Sequence, residues 1–346
     1  MARLLIPLLA LVLGYGRHAP RRTGVLGRNI LLGMLFGAAF MAGNALPQAL
    51  PSGIQLIVPF SPAGPVDFTA RVLVEKMRAQ LGIPIVVENR PGANGAVAAA
   101  VVKGAAADGR TLLFMSSGFI TISPHLDKNL PYDPWNDFVL VTSVAYIDAA
   151  MVVGARVPAN NLKEFVELAR ASRPPLAFGS PGRGNPSHIN IEQFKEAAKV
   201  DLLHVPYKGA AVVLTDVLAG QITGTFIGLS TALPYIRSGK LKVFGFIGKK
   251  RSAIAPDIPT FTEQGYSGID IQAWTGILAP RNTHPETVKA LATAVSRAVE
   301  QEDARAKLLS GGMTPWVLSG EEFASSVKLE SDAYRKLITE KNIVGD

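Results

Sequence analysis

Residues 180–190 read SPGRGNPSHIN, and a glycine-rich turn followed by Ser and His has three chemical uses. It could cradle a nucleotide phosphate, pair a nucleophile with a base, or seat some other anion. A Walker-type phosphate loop needs Lys followed by Ser or Thr after its last glycine, and Asn-Pro stands there instead. A Ser187–His188 dyad fails on geometry, because adjacent helical residues project about 100° apart and do not face each other. Helix-start chemistry is left. Asn185 suits an N-cap, Pro186 suits the first helical position, and the Ser187 hydroxyl stands beside the free N–H groups of the first turn. Such a terminus holds an anion without any lysine. Taken alone, the stretch is equally a well-capped helix.

Similar loops recur. FSPAGPVD at 60–67 sets the turn Ser61, Pro62, Ala63, Gly64 between an apolar run and a helix, with Asp67 near the helix start as a ligand acceptor or a helix cap. MSSGF at 115–119 puts Ser116, Ser117 and a glycine after another apolar run. Ligands of open α/β sheets bind at the carboxyl ends of strands, so these three loops could converge on one small anion. HVPYKG at 204–209 ends a further strand: Tyr207 could wall a pocket and donate its hydroxyl, or be a half-buried strand-end Tyr. Lys208 could supply charge to an acid, or be a solvated surface Lys. His125, His188, His204 and His284 do not stand at metal-ligand spacing, so no metal and no cofactor is expected. Carboxylates are sparse and none is paired with a nucleophile, which leaves acid/base catalysis little to stand on. An exported α/β hydrolase would need a GxSxG elbow, which the chain lacks.

The elements that must position these loops alternate. IQLIVPF, IPIVVEN, TLLFM, PLAFGS, LLHVPY, ITGTFIG and LKVFGFIG read as strands, with helical stretches between them. In the first helix Val66, Ala70, Leu73, Met77 and Leu81 share one face, while Arg71, Glu75 and Arg78 share another. A later helix from Pro285 places Val288, Leu291, Ala292, Val295 and Val299 at core spacing, and a last helix starts at Glu321. The βαβ alternation predicts a parallel-sheet α/β architecture. AAMVVG near 150 and WTGILAP near 275 are placed to carry the chain to a second lobe and back. The expected division is 51–150 with 273–346 as one lobe and 151–272 as the other, with a ligand cleft between them.

The chain of 346 residues carries a formal charge of +8, but Arg3, Arg17, Arg21, Arg22 and Arg28 lie in the first 45 residues with no acid among them. Without those five charges the remainder is +3, and its Lys and Arg are scattered among acids with no aromatic stripe. A nucleic-acid partner is therefore not expected. The early arginines precede ILLGMLFGAAFMAG and then NALPQALPSG, the order of a secretory signal, so residues 1–49 read as a leader and the chain as periplasmic. There is no cysteine, which excludes disulfides, thiolate metal sites and a lipid-modified N-terminal Cys.

IQLIVPFSPAGPVDFTAR, VVENRPGANG, ADGRTLLFMSSG, LPYDPWNDF, GNPSHINIEQFK, HVPYKGA, AGQITGTFIG and PDIPTFTEQG follow one another in the order and spacing of the Bug family. The chain resembles these periplasmic receptors of tripartite tricarboxylate transporters over about residues 51–346. The resemblance implies a two-lobed, type II periplasmic-binding-protein fold, monomeric and not an enzyme, that closes on a small carboxylate and delivers it to membrane subunits. A sensor reporting to a membrane signalling partner would use the same closure. Carried over by position, the loop Ser61, Pro62, Ala63, Gly64 to Asp67 and the turn through Asn185, Ser187 and His188 match the family's ligand-grasping loops. Ser116, Ser117 and Tyr207 fall in its cleft-facing segments.

The departures are informative. Where the family usually reads Pro-Gly-Gly-Ser-Thr-Asp, this chain has Pro62, Ala63, Gly64, Pro65, Val66 and Asp67, and Asn185 stands where Thr is usual. The position commonly held by Asp after the second-lobe Phe is Ile227, followed by Gly228. An apolar side chain there predicts a ligand more apolar beyond its carboxylate than a di- or tricarboxylate.

Overall fold

The apolar runs become short strands, and the strands assemble into two sheets joined by crossing segments. In the first, β1 (Ile54–Val58), β2 (Ile85–Asn89) and β3 (Thr111–Ser116) are parallel, connected by α1 (Pro65–Leu81) and α2 (Ala96–Lys103). Two short helical turns, α3 (Gly118–Thr121) and α4 (Ser123–Leu126), precede β4 (Phe138–Ile147). The chain then passes through Asp148 into β5 (Ala149–Gly154) of the second sheet. That sheet adds α5 (Leu162–Ala171), β6 (Leu176–Ser180), α6 (Pro186–Ala198), β7 (Leu202–Pro206), α7 (Ala210–Ala219), β8 (Gly224–Gly228), α8 (Leu229–Arg237) and β9 (Leu241–Ile247). The return strand β10 (Trp274–Pro280) re-enters the first sheet, followed by α9 (Pro285–Glu300), α10 (Glu302–Ser310), β11 (Met313–Pro315) and α11 (Gly320–Glu340).

The first sheet runs β11-β4-β10-β3-β1-β2 and the second β7-β6-β8-β5-β9. Neither is purely parallel, which corrects the expectation from βαβ alternation: β10 is antiparallel to β3 and β4, and β5 is antiparallel to β8 and β9. The strands that follow the crossings arrive from the other lobe, so they enter their sheets against the direction of the local βαβ units.

Capping chemistry sets the helix ends. Pro65 begins α1, Asp67 lies in its first turn, and Gly82 closes it in the left-handed conformation (φ 66°) with its N–H bonded to the Arg78 carbonyl. The apolar face of α1 buries Val66, Leu73 and Met77 against Leu291, Val295 and Val299 of α9. On the opposite side of the sheet, Phe119, Phe138, Trp274, Phe323 and Val327 form a second apolar layer. In the second lobe, alternation along β8 sends Phe226 to one layer, with Phe165, Phe178 and Phe194, and Ile227 to the other, with Val213, Leu214 and Val217. Both sheets are thus covered on two faces, as parallel-rich sheets must be.

The computed structural model describes residues 50–92, 95–207, 209–269, 271–341 and 343, which belong to one compact unit spanning 49–346. The leader expected at 1–49 and the charge role considered for Lys208 lie outside the described residues. Among the described residues no helix is long and apolar enough to cross a membrane, and no group of three or more His, Asp or Glu side chains could hold a metal ion.

Candidate functional site

The strand-end loops of the two lobes meet in pairs. A β-carbon built on Gly228, at the end of β8, would stand 3.5 Å from Cγ of Pro65 at the start of α1. One built on Gly118, at the start of α3, would stand 3.3 Å from Cδ of Pro186 at the start of α6. Gly184 packs so closely on Leu126 that a β-carbon there would overlap it. The three glycines let the opposed loops approach to van der Waals distance.

The α1 terminus is built around Asp67, which is 2% exposed. Its Oδ2 accepts from the Ala63 amide (3.0 Å) and Arg71 Nε (2.9 Å), and its Oδ1 accepts from Arg71 Nη2 (3.0 Å) and Asn89 Nδ2 (2.9 Å). Burial alone would raise its pKa, but these donors outweigh it and hold the carboxyl below its ordinary value. Asp67 therefore ties the loop 61–64 to α1 and β2, with both oxygens already engaged. Ala63 holds the left-handed conformation (φ 67°), which explains the glycine usual there: the turn is kept and alanine bears the strain. Ala63→Gly should stabilise the chain by about 0.5–1 kcal/mol, the relieved strain exceeding the added freedom of the unfolded chain. Urea unfolding of both proteins at one pH checks this, and a loss of stability would refute the strain account.

The cap residue Gly64 supplies no side-chain hydrogen bond to α1, and Gly228 supplies none to α8. The two helix termini that abut through Pro65 and Gly228 thus both lack a side-chain cap. Each helix dipole is positive at this end, offset at α1 by Asp67 in its first turn and at α8 by the Asp148 carbonyl on the Leu229 amide. The α6 terminus differs. Asn185 Oδ1 accepts from the Ser187 amide (2.9 Å), and the His188 amide bonds to the Asn185 carbonyl (2.9 Å). The N–H groups expected to be free there are engaged by the cap, which leaves the Ser187 hydroxyl and the adjoining turn.

Ser116 ends β3 opposite Thr275, half-buried. Ser117 is fully buried; its amide donates to the Trp274 carbonyl (2.8 Å) and its Oγ lies 3.4 Å from the Trp274 amide, so it fastens α3 to the return strand. The Tyr207 hydroxyl donates to Asp216 Oδ2 (2.8 Å), bracing the end of β7 against α7, and burial together with this carboxylate pushes its pKa up to about 12. The donor role considered for Tyr207 is thus already filled within the lobe. Ile227 is 3% exposed and packed in the lobe core, so its apolar character answers that core and gives no support to an apolar ligand.

Sequence reasoning passed over Asp148, the single residue between β4 and β5. Its carboxylate accepts from Thr314 Oγ1 in the first lobe (2.8 Å) and from Ser252 Oγ in the second. Its amide donates to the Gly312 carbonyl (2.9 Å), and its carbonyl accepts from the Leu229 amide at the start of α8 (2.7 Å). Burial raises the Asp148 pKa, with the two hydroxyls partly offsetting it. The signal in the sequence was one acid inside the apolar run AYIDAAMVV.

Comparison with known proteins identifies the family in which this two-lobed arrangement occurs. Residues 69–343 match the family model described as the tripartite tricarboxylate transporter family receptor. The Bordetella pertussis protein BugT is 27% identical, covering 90% of this chain and 96% of its own. An R. palustris protein solved with adipate superposes with a TM-score of 0.81 at 27% identity, covering 86% of this chain and 99% of that one. MatC from Rhodopseudomonas palustris with bound malate gives 0.73 at 31% identity, covering 84% and 100%. The chain belongs to the tripartite tricarboxylate transporter receptor family, the Bug proteins, which are two-lobed periplasmic solute-binding proteins.

Proposed function

We propose that this chain captures a small carboxylate between its lobes and hands it to the membrane subunits of a tripartite transporter, after export directed by residues 1–49. The observation that carries the capture step is the abutment of α1 and α8 through Pro65 and Gly228, two helix termini without side-chain caps. Their paired positive ends favour a carboxylate over a neutral or cationic solute. Around them the loop Ser61–Gly64, Ser116 and the Ser187 hydroxyl supply polar groups, while Asp67, Asn185 and Tyr207 hold the loops in shape. Capture of this kind needs no bond chemistry, only closure of mobile lobes around the ligand.

A thermal-shift screen against adipate, malate, citrate and aromatic acids tests the reading. A ligand at 100 times its dissociation constant should add about 2.7 kcal/mol of stability. No shift with any acid, alongside a shift with neutral or cationic solutes, would overturn it. Closure can be tested separately. Gly118→Val places a branched side chain where even a single β-carbon stands 3.3 Å from Pro186, so the lobes should be held apart. Affinity for the screened acid should fall tenfold or more while unfolding stability changes little, read by calorimetry and by small-angle scattering. Unchanged affinity would mean that this contact is not part of the closed state.

A further inference from the structure

Behind the second-lobe turn lie two imidazoles that the capture step does not use. His188, on the first turn of α6, and His204, in β7, stack with ring centroids 3.8 Å apart and planes 10° from parallel. Each ring grips a different end of the glycine turn. The Gly184 amide donates to His188 Nδ1 (3.2 Å). At the other end Ser180 Oγ donates to the Gly182 carbonyl (2.8 Å) and lies 2.6 Å from His204 Nε2. With the hydroxyl proton directed at Gly182, His204 must be the donor in its contact with Ser180, so its hydrogen sits on Nε2. His188 accepts at Nδ1, so its hydrogen also sits on Nε2. Gly184 (φ 65°) lies in the left-handed region, a turn that glycine permits but does not select. Something outside the turn must therefore choose its shape.

We propose that the stacked pair His188–His204, together with Ser180, is a positioning unit that sets the Gly182–Gly184 turn and so shapes the second-lobe half of the ligand seat. His188 then acts through the Gly184 amide rather than by touching ligand. This rests on the reading of the cleft as a carboxylate seat.

The surroundings keep both rings neutral. Burial lowers the His188 pKa to about 4, helped by Arg183 from the turn and Lys195 from α6. Burial lowers His204 to about 3, helped by His188, Arg183 and Lys195. Lys195 is itself paired with Glu192 on the same helix (3.0 Å). A proton on His188 Nδ1 would set a donor against the Gly184 N–H and a charge in the stack. The stability due to neutral rings is present above the ordinary value of 6.5 and is lost as pH falls towards 4 and then 3.

The test uses the purified chain labelled with ¹⁵N. Without ligand, both imidazoles should give the neutral Nε2–H signature, and the Gly184 amide should be protected from hydrogen exchange. His188→Phe and His204→Phe keep a ring in the stack and lose the polar contact. His188→Asn keeps an acceptor near Nδ1, and His204→Gln keeps a donor near Nε2. Gly184 exchange should quicken about tenfold or more in His188→Phe, the scale of one lost buried hydrogen bond, and His188→Asn should recover most of that. Adipate affinity, read by calorimetry, should follow the same order in both pairs.

If His188→Asn and His188→Phe both lose adipate binding while Gly184 exchange is unmoved, His188 touches ligand and the proposal fails. An Nδ1–H tautomer at His188 would also overturn it, and that measurement needs no variant to fold. If the unaltered chain binds neither adipate nor malate, that counts against the carboxylate reading alone. Gly184 exchange still decides the positioning role in that case.

Discussion

Trp274→Ala should lower the unfolding free energy by about 3–5 kcal/mol, the usual cost of emptying a buried aromatic site. Trp274 is the first residue of the return strand and fully buried, with its ring edge-on to Trp316 and Phe323. It also partners a half-buried acid: its Nε1 donates to Glu330 Oε2 (2.6 Å), and Thr121 Oγ1 lies 3.2 Å from the other oxygen. Burial pushes the Glu330 pKa from 4.5 up to about 7, with the two donors pulling the other way. A carboxyl whose folded pKa is raised contributes stability that is complete below 4.5 and is lost as pH rises through about 7. Trp274→Phe keeps most of the volume and removes the donor, so its penalty should be larger at pH 8 than at pH 5. Glu330→Gln should flatten the wild-type stability profile between those values. Equal penalties for Trp274→Phe at both pH values would show that the indole N–H does not stabilise the carboxylate.

Glu330 also shows what was legible in the sequence and what was not. Phe323, Val327, Glu330 and Tyr334 recur at helical spacing, so the acid occupies a core position that the pattern alone could have flagged. Its partners Trp274 and Thr121, distant in the chain, could not be read there. The strands before each helix were readable because local alternation and turn residues define them, and WTGILAP coincides with β10 at both ends. β4 was not recognised. Its interior holds Thr142 and Ser143, which read as polar until their acceptors, the Leu318 and Trp316 carbonyls, fold over them.

The same division runs through the candidate site. The Pro/Gly loops announced themselves because turn chemistry is local. How the polar groups on them are engaged was settled by neighbours: Asp67 by Arg71 and Asn89, Tyr207 by Asp216, Ile227 by the lobe core. Residue type therefore picked out the candidate loops, while partner geometry showed which of their polar groups brace those loops.

Asp148→Ala should cost about 2–4 kcal/mol of stability and weaken ligand capture at the same time. Ser252 and Thr314 lose their shared acceptor, and an unpaired buried polar group costs about 1–3 kcal/mol. The effect on capture follows from where those hydroxyls stand. Ser252 follows β9 in a segment that packs on the second lobe through Ile258 and Phe261, whereas Thr314 lies in β11 of the first sheet. The carboxylate thus joins the two lobes in this structure, and losing it should depopulate that arrangement and, where the ligand binds it, raise the apparent dissociation constant in proportion. Asp148→Asn separates charge from connectivity. It keeps an acceptor for one hydroxyl, so capture should fall less than with alanine. It also removes the titration of a carboxyl whose folded pKa is raised, so the share of stability lost with rising pH should disappear. Calorimetry with the screened acid, denaturant unfolding at pH 5 and pH 8, and scattering of the ligand-free chain report affinity, stability and closure in turn. If Asp148→Ala unfolds more readily but binds as tightly and closes as far, Asp148 is a fold residue and the lobes are joined elsewhere.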